Sequence, residues 1–512
     1  STTGALTLAV ALPGLAQSGP GKTLAGSGAP FAPNAFVRIG ADDIVTVVVK
    51  HLEMGQGTYT GLPTLVAEEL DADWRQIRAE GAPADASRYN NLLWGPAQGT
   101  GGSTAMANSF EQMRKAGAAA RAMLVAAAAK RWNVPETEIT VAKGVVAHKS
   151  GKRARFGELA ADAAKLAVPQ EVKLKDAKDF KLIGKRVPRL DARVKVNGAA
   201  QYTQDVRLPG MLVAVVARAP RFGARVKSFD AAKAKAVKGV ENAVAFATPV
   251  TNGVAVLAKD FWSAKKGRDA LTVEWDESAA YRQSSADLMA EYRKLAEKPG
   301  LTARKDGDSA RALAGAAKTV SATYELPFLA HACMEPMNCV VRLDANGVEV
   351  WNGEQLHTGD QYALAALAGV KPEQVKINML YAGGSFGRRA NPLSDYVLEA
   401  AAIAKAAGGG KPVKLVWTRE DDLRGGFYRP MFFHSLKAGL DAAGDIVGWE
   451  HRLVGQSIAA GTAFEGMLVQ KGIDVTSVEG AATLPYAISN LTVDLHTTRP
   501  GVPVQWWRSV GS

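Results

Sequence analysis

The chain is 512 residues long, 47% apolar and 22% charged, the composition of a folded protein with room for several domains. Its net charge is +12, but Lys and Arg are dispersed, with only a modest concentration over 173–195. That argues against a nucleic-acid surface and leaves a solvated basic face, an acidic partner or an anionic ligand. Two cysteines, Cys333 and Cys339, are too few to ligate an iron–sulfur cluster or, unaided, a zinc ion, and their spacing settles nothing about a disulfide.

Residues 4–15 form an apolar run shorter than a membrane span, followed by Ala16-Gln17-Ser18-Gly19-Pro20. The run reads as the core of a signal peptide, with residues 1–20 as a remnant or tether. It points to a periplasmic protein, the alternative being cytoplasmic. No other stretch could span a bilayer. Segments 35–39 and 44–49 flank Gly40-Ala41-Asp42-Asp43 and predict a hairpin. Next comes His51-Leu52-Glu53-Met54-Gly55-Gln56-Gly57-Thr58. Its glycines let a ligand approach the backbone, around a glutamine that offers one acceptor and two donors. A helix is predicted over 60–70 and a strand over 76–80. A Pro-, Asn- and Gly-rich loop then ends in Gly99-Thr100-Gly101-Gly102-Ser103-Thr104. From there a long helix runs to about Trp132, with Phe110, Met113, Gly117, Ala120 and Leu124 on its buried face.

The polar, lysine-rich stretch 168–193, broken by Pro169, Gly184 and Pro188, reads as a linker. A second unit from 194 opens with a strand over 212–218 and closes with a charged helical stretch over 281–316. Near 320 the plan of the first region recurs. Segments 340–343 and 347–351 flank an Asp344-Ala345-Asn346-Gly347 turn. A second glutamine loop follows, Asn352-Gly353-Glu354-Gln355, then a helix over 361–367 and a strand over 375–381. The loop Gly383-Gly384-Ser385-Phe386-Gly387 and a helix over 393–407 close the plan.

Both regions end in a Gly/Ser loop read as opening a helix, which is an anion site by its free N–H groups and dipole. Neither loop fits a Walker or dinucleotide fingerprint. Two such loops with two glutamine loops imply a polar ligand larger than a mononucleotide. The seven histidines are never at i, i+4, and no Ser-His-Asp arrangement is evident. Any metal is therefore held mainly by something other than side chains.

Met54-Gly55-Gln56-Gly57, His331-Ala332-Cys333-Met334-Glu335-Pro336, Gly383-Gly384-Ser385-Phe386-Gly387 and Arg508-Ser509-Val510-Gly511 together resemble the molybdenum hydroxylase family, the xanthine dehydrogenase and aldehyde oxidoreductase group. Lys195-Val196-Asn197-Gly198 through Leu208-Pro209-Gly210-Met211 is similar to that family's hammerhead domain. The resemblance covers nearly everything from residue 35 onward. The early position of the Met-Gly-Gln-Gly segment, ahead of the hammerhead, resembles the large subunit of isoquinoline 1-oxidoreductase-type enzymes. The implied fold class is α+β, with molybdopterin-binding lobes over 30–167 and 317–512, the latter incomplete, and an a/b hammerhead domain over 194–316.

The resemblance further implies a molybdopterin cytosine dinucleotide whose pterin dithiolene holds the molybdenum. It implies a small partner subunit with [2Fe-2S] clusters, and cytochrome c or another acceptor beyond it. Met54, Gly55, Gln56 and Gly57 match one cofactor loop, and Gly101, Gly102 and Ser103 a second. Gly384, Ser385, Phe386 and Gly387 match the loop that approaches the metal. Gln355 matches the glutamine that hydrogen-bonds the oxo ligand, and Arg508 an arginine near the substrate. The implied reaction is hydroxylation of an N-heteroaromatic substrate with oxygen from water, or oxidation of an aldehyde. Ala390 replaces a glutamate found in purine oxidisers, which argues against purines. The family's base glutamate has no match up to Ser512, so it is expected on a C-terminal continuation or a separate chain. Without it the chain would be a non-catalytic cofactor-binding scaffold.

Overall fold

A computed structural model describes residues 31–508 and Val510; the expected signal segment at 1–20 lies outside these, as do Ser509 and Gly511 of the Arg508 motif. The described residues form two compact units, one from those up to residue 200 with 378–380 and one from 201–377 with those from 381 onward.

The first unit is built on a four-stranded sheet in the order Phe31–Asn34, Val37–Ile39, Val45–Val49, Ile77–Gly81. Val45–Val49 is nearly all valine, a β-branched run that suits a strand buried on both faces. It pairs antiparallel with Val37–Ile39, as the predicted hairpin requires, and parallel with Ile77–Gly81. A parallel pair needs a crossover, and the helix Thr58–Leu70 supplies it. The helix Thr104–Trp132 packs across that helix. Gly117 makes this possible, because a Cβ there would lie 2.5 Å from the Val66 carbonyl oxygen. Met113, Ala120 and Leu124 are buried as predicted. Phe110 is not: it is 40% exposed, with the Arg114 guanidinium 5.3 Å from its ring. Helical spacing assigns a face, but it does not say where along the helix the neighbouring elements end.

Residues 168–193, expected as a linker, contain a 3-10 turn at Ala177–Asp179 and are fastened to this unit. Buried Glu68 accepts the amides of Lys181, Leu182 and Ile183 at 2.9, 2.6 and 3.1 Å. Lys175 Nζ donates to Asp71 at 2.9 Å and to Glu68 at 3.1 Å. Burial works to raise the Glu68 carboxyl, but the Leu182 and Ile183 amides and the Lys175 ammonium together hold it below its ordinary value. The contribution of this clamp is therefore present above the usual carboxylate range and is lost as pH falls through the depressed value. Glu68→Ala is expected to release the strap, so that trypsin cuts within 173–186 roughly tenfold faster at neutral pH. An unchanged cleavage rate would show that the strap is held by other means.

The second unit holds a seven-stranded sheet in the order Val240–Ala247, Asn252–Ala258, Leu212–Ala217, Val413–Val416, Asn338–Asp344, Gly347–Asn352, Val375–Met379. Strands from 194–316 and from the later chain thus share one sheet. A five-stranded sheet runs Leu301–Asp306, Leu491–Thr498, Ile446–Gln456, Phe432–Leu440, Lys318–Leu326. The expected helical stretch 281–316 is corrected here: helices Ser285–Leu295 and Ser309–Ala314 flank the strand Leu301–Asp306. That strand exists through pairing with Leu491–Thr498, far along the chain, which no local pattern announces. The repeated plan is present in both units as hairpin, glutamine loop, helix, 3-10 turn and strand, with turns at Trp74–Gln76 and Pro372–Gln374. No helix of the described residues is long and apolar enough to cross a membrane.

Candidate functional site

In the first unit the Met54 loop is a tight turn. Gly55 and Gly57 have φ of +113° and +100°, and a Cβ on Gly55 would meet nothing within 4 Å, so backbone conformation alone demands glycine there. Gln56 stiffens the turn from within. Its Oε1 accepts the Met54 amide at 2.8 Å and its Nε2 donates to the Leu52 carbonyl at 2.6 Å. One N–H and one lone pair of this exposed amide remain for a ligand.

Beneath the turn lies Glu53, fully buried and not singled out by the sequence. Its Oε1 accepts from Gly55 N at 2.9 Å, Arg189 Nη2 at 2.9 Å and Lys195 Nζ at 3.1 Å, and its Oε2 accepts the Tyr59 amide at 3.1 Å. Arg189 Nη1 also donates to the Gly55 carbonyl at 3.1 Å. The start of the Thr58–Leu70 helix is thus already occupied by a carboxylate.

The start of Thr104–Trp132 differs. Gly102 and Ser103 are exposed at φ of +60° and +55°, no side chain caps the helix, and its first turn holds no acidic residue. This is the anion-ready end in the unit. His51 joins the two loops: its Nε2 accepts from Asn108 Nδ2 at 2.9 Å, and Thr100 Oγ1, 3.4 Å from its Nδ1, accepts the Leu52 amide at 2.9 Å. Burial and then the Lys50 ammonium push the His51 imidazole down to about 4, so it is neutral at pH 7.

The second unit gathers Gln355, Ser385, Phe386, Gly387 and Arg508. Gln355 is buried, and its Oε1 accepts the Ser385 hydroxyl at 2.5 Å. Ser385 Oγ in turn accepts the Arg389 amide at 3.1 Å. Phe386 is held at φ of +55°, a conformation that strains a non-glycine residue. The Arg508 amide donates to its carbonyl at 2.8 Å, and the Arg508 guanidinium lies 5.1 Å from its ring. A Cβ on Gly387 would come within 2.8 Å of the Trp506 carbonyl, so glycine is required there by φ (+102°) and by space. Gln505 Nε2 donates to the Gly387 carbonyl at 2.9 Å.

This loop does not open a helix, which corrects its reading as an anion cradle. A turn through Arg389 intervenes, and the helix Asp395–Ala406 begins later behind Ser394, with an acidic residue in its first turn. The loop is instead held from behind. Glu335 accepts the Gly383 amide at 2.8 Å and Arg389 Nη2 at 3.0 Å, while Cys333 Sγ donates to the Ser385 carbonyl at 3.1 Å. Burial pushes the Cys333 thiol up to about 11, so it is an inert donor, and both cysteines are free. The roles of Glu335, Arg189 and Lys195 were not within reach of the sequence, because their partners lie far away in the chain. Among the described residues no cluster of three or more His, Cys, Asp or Glu side chains could hold a metal ion.

Two molybdopterin cofactor-binding domain families match this chain, one over residues 12–223 and the other over 294–505. The chain belongs to the molybdenum hydroxylase family. It is 32% identical, over 94% of its length, to isoquinoline 1-oxidoreductase subunit beta of Brevundimonas diminuta, and covers 66% of that protein. It is 30% identical, over 88% of its length, to the membrane-bound aldehyde dehydrogenase [pyrroloquinoline-quinone] of Gluconacetobacter polyoxogenes, covering 58% of it. The chain thus spans about two thirds or less of these relatives. The aldehyde oxidoreductase of Desulfovibrio gigas superposes with a TM-score of 0.51 at 18% identity, covering 70% of this chain and 43% of that one, a likeness of fold. The α+β architecture is that of a molybdenum hydroxylase large subunit, and the cofactor is a molybdenum-bearing molybdopterin.

Proposed function

We propose that this molybdenum hydroxylase chain is the cofactor-binding catalytic subunit of an oxidoreductase that hydroxylates an N-heteroaromatic substrate with oxygen from water. In this reading it holds molybdopterin cytosine dinucleotide, works in the periplasm and passes electrons to a small [2Fe-2S] subunit. The observation that carries the reading is the Gln355 amide, buried and fixed by Ser385 beside the strained Phe386–Gly387 turn. The donor set fits the cofactor. The uncapped start of Thr104–Trp132 suits a pyrophosphate, and the Met54 turn offers backbone and the remaining Gln56 groups to a polar ring system.

When bound, the cofactor supplies a two-electron redox centre. The chain's own residues do the rest. Ser385 fixes the plane of the Gln355 amide, whose donors stabilise negative charge developing at the reacting centre. Arg508, stacked near Phe386 and Trp507, orients an aromatic or carbonyl substrate. Ala390, 4% exposed, offers no carboxylate to a purine. The base glutamate has no match among these residues. Oxidation of an aldehyde is a second reading, favoured by the aldehyde dehydrogenase relative.

Metal analysis, acid release of the nucleotide and dye reduction on the assembled complex test this. Molybdenum, cytidine monophosphate and reduction by N-heterocycles are expected. Absence of molybdenum in correctly assembled protein would overturn both readings, and a guanine or no nucleotide would overturn the dinucleotide. Aldehydes turned over in preference to heterocycles would favour the second reading, and fast purine oxidation would refute the Ala390 argument.

A further inference from the structure

Arg429 is a half-buried cation without a carboxylate partner among the described residues. Every other described arginine of this unit that is not exposed pairs with a carboxylate, as Arg218 does with Glu399, Arg419 with Asp422 and Arg452 with Asp494. The Arg429 side chain reaches a neutral acceptor instead. Its Nη2 donates to the Pro327 carbonyl at 2.5 Å, and its Nε is buried with no acceptor. Burial pulls the guanidinium below its ordinary value, yet an arginine stays charged at any working pH. A charge partly withdrawn from water and left uncompensated is unfavourable, so this position calls for an anion from outside the described fold.

The position is tied to the Phe386–Gly387 turn. The carbonyl of Tyr428, next to Arg429 in the chain, accepts the Gln505 amide at 2.9 Å, and Gln505 Nε2 donates to the Gly387 carbonyl at 2.9 Å. The Arg429 guanidinium lies 5.9 Å from the centre of the Trp507 ring. The Arg508 guanidinium lies 5.9 Å from the same ring and 5.1 Å from that of Phe386. Arg508 is exposed and, among the described residues, also has no carboxylate within ion-pair distance. The Trp507 Nε1–H is buried with no acceptor. Two unpaired cations and an idle donor therefore gather at one indole, beside a second aromatic ring, where positive charge and donors outnumber acceptors.

We propose that Arg429 and Arg508 bind an anionic group of the substrate, which makes the substrate class an N-heteroaromatic carboxylate. The carboxylate supplies the counter-charge that Arg429 lacks, and the Trp507 and Phe386 rings offer apolar surface to the aromatic body that carries it. Arg429 is then a specificity-determining residue, selecting charged heterocycles over neutral ones. That the anion belongs to a substrate rests on the reading of the Phe386–Gly387 turn given above; the anion site itself does not. A carboxylate on another protein segment is the competing source. A small molecule is favoured because both cations stand at the turn, Arg508 through its amide to the Phe386 carbonyl at 2.8 Å and Arg429 through Tyr428 and Gln505.

Calorimetric titration of the molybdenum-loaded complex tests this, with quinoline-4-carboxylate and pyridine-3-carboxylate each compared with its carboxamide. Acid and amide share a ring and differ in charge. Wild type is expected to bind at least one acid about tenfold or more tighter than its amide, a preference that shrinks as NaCl rises to about 0.5 M. Arg429→Gln is expected to bring acid and amide within about threefold of each other and to raise KM for the acid about tenfold. Arg429→Lys keeps the charge without the fork and is expected to retain part of the preference. Wild type that binds neither acid, or binds acid and amide equally in both pairs, would overturn the anion site without recourse to any variant. Arg429→Gln with the full preference intact would remove Arg429 from it, and equal weakening of acid and amide would make Arg429 a structural residue. A lowered unfolding midpoint of the Arg429→Gln complex with no binding of either acid to wild type would assign the counter-charge to a protein carboxylate and overturn the substrate site. Calorimetry needs no turnover. An Arg429-dependent preference in a complex that oxidises no heterocycle therefore upholds the anion site while the reaction assignment fails.

Discussion

Arg388→Ala is expected to destabilise the second unit by about 3–5 kcal/mol, enough to remove most soluble folded protein. The Arg388 side chain is 2% exposed and Asp395 is fully buried. Its Nη1 and Nη2 donate to the two oxygens of Asp395 at 3.0 and 2.5 Å, the bidentate geometry in which a guanidinium matches a carboxylate. The rings of Trp417, Phe427 and Tyr396 surround it at 5.3, 5.8 and 6.0 Å. Trp417 also has Arg218 at 4.0 Å and donates its Nε1–H to Glu399 at 3.0 Å. Removing Arg388 leaves Asp395 charged and alone in a dry site next to Glu399. Lysine cannot substitute, because it lacks the planar fork. A double change, Arg388→Met with Asp395→Leu, is expected to recover much of the loss, because the cost lies in the orphaned charge and not in the missing pair. Urea unfolding reports both. An Arg388→Ala protein within about 1 kcal/mol of wild type would refute the argument.

Gln355→Ala is expected to lower turnover by about a hundredfold to a thousandfold while molybdenum content stays near that of wild type. The two halves of this expectation come from different contacts. The loop that carries Ser385 to Gly387 keeps its Glu335, Arg389, Gln505 and Arg508 contacts without Gln355, so the cofactor pocket of this unit persists. What is lost is the amide whose orientation Ser385 fixes. Ser385→Ala frees the amide without deleting it, so its effect on kcat is expected to fall between wild type and Gln355→Ala. Turnover of Gln355→Ala within threefold of wild type, measured per molybdenum, would remove the residue from the chemistry. Loss of molybdenum in step with activity would make it a structural residue.

Elements were legible in the sequence where a local rule dictates them. The valine run Val45–Val49, the Asn346-Gly347 turn and the alanine-rich helix Thr104–Trp132 all formed where period and turn chemistry put them. Gly55, Gly57 and Gly387 were legible as special because their positive φ values exclude other residues. The contacts that hold these loops were not legible. Glu53 is 136 residues from Arg189, and Glu335 is 48 residues from Gly383 and 54 from Arg389. Each reads in one dimension as an ordinary charged residue, and only the fold shows it buried against its partner. Gln56 and Gln355 looked alike as glutamines in glycine loops. The fold separates them: one braces its own exposed turn, the other is buried against a serine from a later loop. Two loops that share a Gly-Gly-Ser core also diverged, because Ser103 starts a helix directly while Ser385 does not.

The contact between Gly117 and Val66 has a reach beyond its own neighbourhood. The helix Thr104–Trp132 is a rigid rod, and Gly117 is the notch by which it is seated on its neighbour. From that notch to Ser103 is 14 residues, which at the helical rise is about 20 Å. A side chain forced into the notch would push the rod outward or slide it along its axis. Its free N–H groups at Gly102 and Ser103 would travel with it, since nothing softer than the helix lies between. The placement of the anion-ready tip is thus gauged at a distance, by a residue that no ligand at the tip could touch.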